Sequence, residues 1–458
     1  MTHGIQEVVG RGMCVGCGSC SARTSGAIPV TIGRYGVYQA SLEGASATDL
    51  AAGSRVCPFS DDSKNEDELA DSRFAHLPHD ERVGRFHSIF AGRLTDDSRL
   101  MGSSSGGMTS FLLAELLRTG RVDGVVHVGR GDDDAMFEYM VSTTPEQIIE
   151  NRKSAYYATT IADIVERISG DGRRYAVVGV PCFVRAFRLL ADELPALSEQ
   201  LSLYVGLVCG HLKSKFFAES LAWQAGVAPD DLESIDFRVK NPTRRSSDYD
   251  YAATAKAHSE PAVRATKSAI DGSWGYGAFQ PEACNFCDDI FAETADVVFA
   301  DAWLPQYLDD WSGTNIVLVR DAEIRALFDA ARERGEITID ELTADDAARS
   351  QGGNFRHRRV GLRVRLADDI KAGLSVPRKR VEPGYDGVPR KRLALIRQRR
   401  KMSALSLETF ARARDAGRLS VYTTPMRRAI RRYVVLDGYA RGLVPLARAV
   451  AKVLRGKA

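Results

Sequence analysis

Short apolar runs alternate with longer amphipathic segments from about residue 88 to residue 335. The runs have the length and the Val, Ile and Phe content of buried strands, and they lie at residues 90–94, 122–128, 175–180, 201–208, 296–301 and 315–319, with a further candidate at 235–239. The segments with helical periodicity lie at residues 110–118, 159–168, 183–194, 213–225 and 322–335. Repeated strand–helix units predict an α/β fold with a mostly parallel sheet and covering helices. Ligands bind such sheets at the carboxyl ends of the strands.

The first 75 residues have a different pattern, which predicts a small ferredoxin-like module. Residues 28–32 and 36–40 have the pattern of two short strands on either side of a Gly-Arg-Tyr-Gly turn. Residues 61–71 are polar and acidic without an apolar period, so we expect a linker or a surface turn there. We therefore expect a module at residues 1–75 and an α/β body at residues 85–375.

The C-terminal segment, residues 385–458, predicts basic amphipathic helices. Thr424-Pro425 is typical of a helix start. Beyond it, one face carries Arg427, Arg428, Arg431 and Arg432, and another carries Met426, Ile430, Tyr433 and Val434. A second segment at residues 443–454 keeps basic residues on a stripe with Arg455. Three roles remain open: a helical cap over the body, binding to an anionic membrane surface, and docking to an acidic protein. Nucleic acid is disfavoured because interleaved stacking aromatics are absent.

Composition adds a charge asymmetry to this pattern. The 458 residues carry a net charge of +2, but from Arg390 onward there are 19 Lys/Arg and 3 Asp/Glu, against 43 and 57 in the remainder. The tail therefore favours a partner with negative charge. The sequence shows no signal-peptide pattern and no run of about 18 uncharged apolar residues. We expect a cytoplasmic protein, with peripheral membrane contact through the tail as an alternative.

Three cysteines recur at a spacing of three near the N-terminus, as Cys14-Val-Gly-Cys17-Gly-Ser-Cys20. The glycines on both sides of Cys17 allow positive φ and a close approach of backbone N–H groups to sulfur. The next cysteine, Cys57, follows after 36 intervening residues and precedes Pro58. Cys-x2-Cys-x2-Cys with a later Cys-Pro is the bacterial pattern for a [4Fe-4S] cluster. Zinc normally takes two Cys-x2-Cys pairs instead, and disulfides are disfavoured by the close spacing.

The other four cysteines lie in the predicted α/β body. Cys182 and Cys209 each follow a predicted strand, and Cys284 and Cys287 form a Cys-x2-Cys pair just before another. Because strand ends meet at one edge of a sheet, these four can converge on a second centre. A cysteine after a strand is also typical of a small buried hydrophobe, and the pair also suits zinc or dithiol chemistry.

Residues 102–109 form a serine- and glycine-rich loop that runs into a predicted helix. Small residues permit close backbone approach, and a helix N-terminus offers N–H groups and a positive dipole end. Hydroxyl groups come from Ser103, Ser104, Ser105 and Thr109, so the loop suits a phosphate or pyrophosphate. It lacks the Gly-Lys-[Ser/Thr] ending of a P-loop and the Gly-x-Gly-x-x-Gly motif. A simple capped turn is the alternative.

The order of these motifs resembles that of the family of coenzyme F-420 hydrogenase/dehydrogenase beta subunits, a group that 7-hydroxymethyl chlorophyll a reductase also resembles. The matching series is Cys-x2-Cys-x2-Cys, Cys-Pro, Gly-Ser-Ser-Ser-Gly-Gly-Met-Thr, Val-Asp-Gly-Val-Val, Gly-Val-Pro-Cys, Val-Cys-Gly, Cys-x2-Cys and Phe-Ala-Asp-Ala-Trp, over about residues 10 to 370. Two positions depart from the family pattern, since Phe183 replaces a glutamine and Ala300 replaces a glycine. The basic tail lies outside the resemblance.

The resemblance implies a flavoprotein that binds FAD and one or two [4Fe-4S] clusters. It assigns the FAD site to the serine–glycine loop and a Lys-bearing segment, that is, to Ser103, Ser105, Gly106, Gly107, Thr109, Lys153 and Ser154. Two cluster ligand sets are implied, Cys14, Cys17, Cys20 and Cys57 for the first, and Cys182, Cys209, Cys284 and Cys287 for a second one near the flavin. Candidate proton donors are Lys153, Tyr157, His211 and Asp301. Each of these four also suits a purely structural hydrogen bond.

The sequence leaves three classes of function open. The first is an FAD and iron–sulfur oxidoreductase that acts on coenzyme F-420, or on a small organic molecule at the expense of ferredoxin. The second is a non-catalytic electron-transfer subunit that docks to a larger complex through the tail. The third is a zinc-stabilised scaffold without redox chemistry.

Overall fold

The computed structural model describes residues 3–131 and 135–440 of the chain. Its strands are β1 Val30–Ile32, β2 Tyr38–Ala40, β3 His79–Asp80, β4 Gly84–Arg85, β5 Ser88–Leu94, β6 Gly124–Arg130, β7 Phe137–Ser142, β8 Tyr175–Gly179, β9 Leu201–Leu207, β10 Leu232–Val239, β11 Asp250–Ala255, β12 Ala262–Ala265, β13 Val297–Asp301, β14 Asn315–Val319 and β15 Ile337–Glu341. Its α-helices are α1 Ile5–Gly10, α2 Ser19–Arg23, α3 Ala47–Val56, α4 Glu66–Phe74, α5 Asp97–Met101, α6 Met108–Arg118, α7 Pro145–Glu150, α8 Ala162–Ile168, α9 Pro181–Glu193, α10 Pro195–Gln200, α11 Phe216–Gln224, α12 Pro305–Leu308, α13 Ala322–Glu333, α14 Ala344–Ser350, α15 Gly352–Phe355, α16 Gly361–Lys371, α17 Arg390–Asp415 and α18 Ser420–Ala440. A π-helical turn, Arg356–Val360, joins α15 to α16.

Eight strands form the main sheet, in the order β15-β5-β14-β13-β9-β8-β6-β7. The central strands β13, β9, β8 and β6 pair in parallel, and the outer pairs are antiparallel. Strands β5, β6, β8, β9 and β13 all run in one direction, so their carboxyl ends lie at one edge. The predicted α/β class with a mostly parallel sheet is confirmed. The edge strands β7 and β15 were not predicted.

Helices cover both faces of this sheet because successive residues of a strand point to opposite sides. Val125 of β6 lies in the core that α6 and α13 cover, together with Phe111 and Phe328. The next residue, Val126, lies in the core that α8 and α9 cover, together with Phe187. The predicted helices are present, although α8 and α11 begin three residues later than the sequence pattern indicates.

The N-terminal module contains the predicted hairpin and, in its described residues, four helices that the sequence did not predict, α1 to α4. Strands β1 and β2 pair antiparallel, with Val30 opposite Ala40, which confirms the hairpin. Helix α3 then leads directly to Cys57. The predicted linker at residues 61–71 is wrong in its second half, since α4 begins at Glu66. The Asn65 side chain caps this helix, and tertiary contacts bury Leu69.

The module shares its core with the α/β body. Val8, Met13 and Phe59 belong to the same apolar cluster as Phe187 of α9. Polar contacts add to this packing, because the buried Arg185 of α9 donates hydrogen bonds to the carbonyls of Pro58 and Lys64 and to the Glu66 carboxylate. The segment that follows Cys57 is therefore held directly against α9, the helix that follows β8.

A second, three-stranded antiparallel sheet of β10, β11 and β12 lies next to α11. Its apolar face and α11 form a separate cluster that is rich in aromatic residues and includes Phe217, Phe237 and Phe279. Helices α17 and α18 complete this cluster through Phe410 and Tyr422. The C-terminal helices therefore cover the body, as one of the three predicted roles requires.

Ion pairs join the tail to the acidic body. On α17, Arg397, Arg400 and Arg414 pair with Asp368, Asp369 and Glu219, respectively. Arg427, Arg428, Arg431 and Arg432 of α18 are exposed or half-buried, on the polar face that the sequence predicted. The predicted segment at residues 443–454 lies outside the described residues. No helix in the described part of the chain is both long enough and apolar enough to span a bilayer.

The predicted helix start at Thr424-Pro425 is wrong. Helix α18 begins at Ser420 and contains Pro425 in its interior. Proline removes one backbone hydrogen bond at this point. Tyr422 and Met426, on either side of it, are fully buried against the aromatic cluster, so packing of the first two turns offsets the lost bond.

Candidate functional site

A cavity of about 840 Å³ lies at the sheet edge where β8, β9 and β13 end. We call it the strand-edge cavity. Of the residues implicated by the sequence, those that line it are Ser103, Ser105, Gly107, Thr109, Lys153, Ser154, Tyr157, Cys209, His211 and Asp301. Gly106 does not line it and instead packs beneath the loop, where an added Cβ would meet the Gly92 carbonyl oxygen at 2.7 Å. The candidate residues thus meet at one place in the fold.

The serine–glycine loop reaches α6 through a left-handed glycine. Gly107 has φ of +79°, and an added Cβ there would lie 2.5 Å from the Leu94 side chain, so only glycine fits. The loop hydroxyls are partly used, since Ser103 donates to the Arg99 carbonyl and Ser105 to the Thr314 carbonyl. The groups left to face a ligand are therefore the first turn of α6 and Thr109, not the Ser103 or Ser105 protons.

Two cations that the sequence did not single out hold this loop in place. The Lys240 Nζ donates to the carbonyls of Leu100, Ser105 and Ser312 at 2.6, 2.8 and 2.5 Å. The Arg152 guanidinium donates to the Gly102 carbonyl at 2.6 Å. Lys240 directly follows β10, and its position at a strand end is the signal that could have identified it.

The segment after α7 is tied to the same loop. The Ser154 backbone N–H donates to the Ser104 hydroxyl at 2.9 Å. Lys153 has φ of +115°, an unusual value for a residue with a side chain. Its Nζ donates to the Asp236 carboxylate at 2.8 Å and to the Arg238 carbonyl at 3.2 Å. Lys153 is therefore a held cation at the cavity wall.

Asp301 ends β13 and accepts a hydrogen bond from Arg238 at 2.8 Å. Arg238 is buried, stacks over the Tyr249 ring and lies near the Trp303 ring. The Asp301 carboxylate raises the pKa of Arg238 against the effect of burial. The Nε of Arg238 has no hydrogen-bond partner among the described residues. Asp301 is thus an ion-pair member, and Arg238 has a spare donor beside the cavity.

His211 and Tyr157 are aromatic residues of the cavity wall. Burial, followed by the neighbouring Lys213, Arg399 and Arg358, lowers the pKa of His211 well below 6.5. The His211 side chain is 4 % exposed, and its Nε2 has no partner among the described residues. Burial raises the pKa of Tyr157, so its phenol stays protonated. Both side chains are neutral at physiological pH.

Phe183, a departure from the family pattern, also lines the cavity. It lies in the first turn of α9, next to Cys182, and stacks on Tyr139, with ring centroids 5.8 Å apart. An apolar ring therefore occupies the wall where the family pattern has an amide.

Cys14, Cys17, Cys20 and Cys57, the outer cysteines, line one small cavity in the module. The Cys14 sulfur accepts backbone N–H bonds from Gly16 and Ala40 at 3.3 and 3.4 Å. Gly16 and Gly18 have positive φ, and a Cβ at Gly16 would lie 2.3 Å from Tyr38. The two glycines are therefore required by the loop geometry, as the sequence predicted.

Cys182, Cys209, Cys284 and Cys287, the inner cysteines, meet where β8, β9 and the Cys-x2-Cys turn come together. Burial, followed by the neighbouring Cys287, Cys209 and Cys284 sulfurs, raises the pKa of the Cys182 thiol, so the four side chains lie near one another. The Leu212 N–H donates to the Cys284 sulfur, and Arg358 donates to the Cys287 sulfur at 2.6 Å. Arg358, from the π-helical turn, had no signal in the sequence, where it lies in a basic run.

The two cysteine sets are close neighbours. Cys17 of the outer set and Tyr139 belong to one apolar cluster, and Cys182 packs against the same cluster. Burial raises the pKa of Cys17 to about 11 and that of Cys57 to about 12. Burial likewise raises the pKa of Cys209 to about 11 and that of Cys284 to about 12. Without a bound metal centre these thiols are protonated at neutral pH.

No group of three or more His, Cys, Asp or Glu side chains among residues 3–131 and 135–440 is close enough together to ligate a single ion. All eight cysteines belong to these ranges and are free thiols.

Comparison with known proteins identifies the family. Residues 89–166 match the model of the N-terminal part of the coenzyme F-420 hydrogenase/dehydrogenase beta subunit, and residues 172–345 match the model of its C-terminal part. The F subunit of the F(420)H(2) dehydrogenase of Methanosarcina mazei is 25% identical over 374 residues, which cover 77% of this chain and 93% of the relative. The beta subunit of the coenzyme F-420 hydrogenase of Methanosarcina barkeri is 24% identical over 238 residues, covering 51% and 75%.

A solved structure of the F-420-reducing [NiFe] hydrogenase complex from Methanosarcina barkeri contains a chain with a similar fold. The TM-score is 0.50 at 17% identity, and the match covers 68% of this chain and 100% of that chain. The family models, the relatives and the order of motifs agree. The chain belongs to the family of coenzyme F-420 hydrogenase/dehydrogenase beta subunits.

Proposed function

We propose that the protein is an iron–sulfur flavoprotein oxidoreductase that carries two [4Fe-4S] clusters and FAD. The observation that carries this proposal is the composition of the strand-edge cavity. Its wall contains both the serine–glycine loop with the α6 N-terminus and Cys209 of the inner cysteines. A flavin in this cavity would therefore lie next to the inner cluster, as electron transfer between the two requires.

The residues of the cavity fit a flavin dinucleotide. A volume of about 840 Å³ lies within the range of cofactor pockets. Close backbone approach at Gly107 and the N–H groups of the first turn of α6 suit a pyrophosphate. The apolar ring of Phe183 and the spare donors at His211 Nε2 and Arg238 Nε suit a ring system with polar edges. A bound flavin would supply the conversion between one-electron and two-electron transfer.

The chain's own groups would then orient the ligand and supply a proton. His211 is neutral, buried and unpartnered at Nε2 among the described residues, so it can donate or accept a hydrogen bond at that atom according to its tautomer, and it can pass on a proton only after accepting one. Lys153 and Asp301 are each held by an ion pair, which suits positioning better than proton release. Tyr157 has a raised pKa and can donate a hydrogen bond. Among the four predicted candidates, we propose His211 as the proton-handling residue.

The cysteine spacing favours clusters over zinc. The outer set is Cys-x2-Cys-x2-Cys with a later Cys-Pro, the pattern of a [4Fe-4S] cluster, whereas zinc normally takes two Cys-x2-Cys pairs. Arg358 and the backbone N–H groups on sulfur would stabilise the thiolates. The zinc-scaffold hypothesis is therefore disfavoured.

For the substrate we propose coenzyme F-420, the molecule named in the relatives, or a small organic molecule with ferredoxin as the electron carrier. The relatives are subunits, so we also propose a redox partner protein, which would approach the module that holds the outer cysteines. The alternative of a non-catalytic electron-transfer subunit predicts clusters without a flavin.

Anaerobic purification, an absorption spectrum and metal and flavin analysis test these proposals. We expect about eight irons per chain, for two four-iron clusters, and one FAD. Cys14→Ser and Cys209→Ser should each keep about four irons, because each removes a ligand of one cluster only. Only Cys209→Ser should change the flavin spectrum, because only Cys209 lines the cavity.

Turnover of F-420, compared with that of ferredoxin using artificial acceptors, would then separate the two substrates. A colourless protein that contains zinc would contradict the proposal. Clusters without flavin would favour the non-catalytic role.

A further inference from the structure

One end of the strand-edge cavity is lined by cations that form no ion pair among the described residues. We call this the cationic end, and it comprises Lys213, Arg365 and Arg399 with the imidazoles of His211 and His357. Lys213 and Arg365 are 3 % and 2 % exposed. None of the three cations forms a salt bridge with a carboxylate anywhere in the described chain; their contacts are carbonyls and rings.

These cations contact neutral groups. The Lys213 Nζ donates to the Ala278 carbonyl at 2.7 Å and lies over the Phe217 and Trp274 rings. Asp271, the carboxylate whose field acts on Lys213, is already engaged, because it accepts hydrogen bonds from Ser220, Gln224 and Tyr422.

The two arginines share one imidazole. Arg365 donates to the Asn285 and His357 carbonyls, and Arg399 donates to the Gly275 carbonyl. The Nη1 atoms of both lie 3.2 and 3.0 Å from His357 Nδ1. An imidazole that accepts from guanidinium groups must be neutral, and the pKa of His357 is lowered accordingly by burial and by these cations. His357 therefore holds the arginines without neutralising them.

None of the three cations donates a hydrogen bond to an inner cysteine among the described contacts, although the field of the Cys284 sulfur raises the pKa of Lys213 and of Arg399 against the effect of burial. Arg358 is the buried cation that contacts a cysteine sulfur, at Cys287, and it does not line the cavity. Lys213, Arg365 and Arg399 line the cavity, and their hydrogen bonds go to carbonyls and to an imidazole. The Nε2 of the buried His211, which has no partner among the described residues, lies at the same end. Four donors thus face one enclosed space.

We propose that the cationic end binds an anionic group, a carboxylate or a phosphate, of the molecule that the enzyme oxidises or reduces. This inference rests on the proposed function and specifies its substrate as an organic anion. A flavin pyrophosphate is served by the other end of the cavity, where α6 begins. Arginine offers two parallel donors to an oxyanion. Burial lowers the pKa of Lys213 to about 7, and an anion bound beside it would favour its charged form.

Arg399 comes from α17, outside the region matched by the family models. The anion site is therefore built by α17, by the segment after β9 that carries His211 and Lys213, and by the π-helical turn and α16, which carry His357 and Arg365.

Arg399→Gln tests the proposal, with Arg397→Gln as its matched control. Arg397 lies two residues away on the same helix but pairs with Asp368 at the surface. The flavin-loaded holoenzyme is titrated anaerobically with malonate and, separately, with inorganic phosphate at constant ionic strength. The readouts are the melting temperature and the flavin absorption spectrum, since a ligand that binds the folded state raises the former.

We expect saturable shifts in the holoenzyme and in Arg397→Gln, and at least a tenfold weaker Kd in Arg399→Gln. Arg399→Lys, which keeps the charge but loses the second donor, should fall between them. Without added anion, Arg399→Gln should melt no lower than the holoenzyme, because it removes a half-buried cation that has no ion-pair partner among the described residues. Iron and FAD contents should not change. The stronger of the two probes identifies the substrate group as a carboxylate or a phosphate.

Unchanged anion affinity in Arg399→Gln would overturn the proposal. Loss of FAD in this variant would also overturn it, because the cations would then serve the cofactor. Loss of iron alone would overturn it as well and assign the cations to the inner cluster. A chain purified without flavin would refute the proposed function instead, and the melting-temperature titration would still measure the anion site.

Discussion

At the residue scale, local chemistry explains which site residues could be predicted. The residues that define the cysteine triplet and the serine–glycine loop lie within a few positions of one another in the chain, so both motifs could be recognised in the sequence. Lys213, Arg358 and Arg399 owe their roles to partners distant in sequence, such as Cys287, and in the sequence they read as ordinary surface cations. Burial without acidic partners is a property of the folded chain and leaves no pattern in the sequence.

Gly16→Ala should disrupt the outer cysteine loop. The new methyl group would lie 2.3 Å from the Tyr38 side chain and carbonyl, so β2, whose Ala40 N–H donates to the Cys14 sulfur, would have to move. We expect loss of about four irons, the content of one cluster, and a melting temperature well below that of the native protein.

Gly12→Ala is the matched control. Gly12 has a similar φ of +64° but open space around it, so only the left-handed conformation is penalised, by about 1–2 kcal/mol. Equal iron content in the two variants would contradict a tight fit at Gly16.

His127 should make stability depend on pH below neutrality. Burial lowers its pKa to about 4, from 6.5, although its Nδ1 lies 3.1 Å from the Val128 carbonyl. The unfolded chain therefore binds a proton between pH 6.5 and pH 4 that the folded chain does not, and stability falls as the pH decreases through this window. The shift corresponds to at most about 3 kcal/mol.

His127→Gln should remove this contribution. Melting temperatures measured from about pH 7 to about pH 4 should decline less steeply in the variant than in the native protein. Parallel decline in the two proteins would show that other groups control acid stability.

At the element scale, the sequence predicted the central strands because Val- and Ile-rich runs with flanking glycines are local signals. It missed α4, whose helical identity depends on the Asn65 cap and on the burial of Leu69 and of Glu66 beside Arg185. The sequence also placed the start of α18 at Thr424-Pro425, because local propensity alone indicates a helix start there. The packing of Tyr422 upstream, which extends the helix, is a tertiary effect.

Phe410→Ala should detach the C-terminal helices from the body. The Phe410 ring is fully buried and contacts Phe216, Phe279 and Tyr422 at centroid distances of 5.0, 5.4 and 5.3 Å. Such a deletion costs about 3–5 kcal/mol. Because α17 lines the cavity, we also expect flavin to dissociate faster in gel filtration.

Arg427→Ala, at an exposed position of α18, is the control and should change stability by no more than about 0.5 kcal/mol. Retention of flavin in Phe410→Ala at reduced stability would indicate that the cavity closes without the helix pair.

At the scale of the whole molecule, the N-terminal module and the α/β body form one structure. Arg185 links them through a buried ion pair with Glu66, whose carboxylate lies 2.9 Å away. Arg185→Met should destabilise the protein by about 3–5 kcal/mol, since it leaves Glu66 buried and unpaired. The double variant Arg185→Met/Glu66→Met should recover part of this loss.

Melting temperatures of the single and double variants measure the coupling. Arg55→Ala, which breaks an exposed pair with Glu193, should have little effect. If Arg185→Met resembled Arg55→Ala, the module would have to be held by apolar contacts alone.

The position of α17 and α18 has a consequence for the evolution of such enzymes. The cysteines and the serine–glycine loop all lie before residue 290, whereas one wall of the strand-edge cavity comes from residues after 390. Mutation or exchange of these terminal helices could therefore alter which molecule is accepted while the cysteines and the serine–glycine loop stay unchanged. A lineage could acquire new substrates by exchanging a terminal helix pair, provided that the new pair still packs on the aromatic cluster.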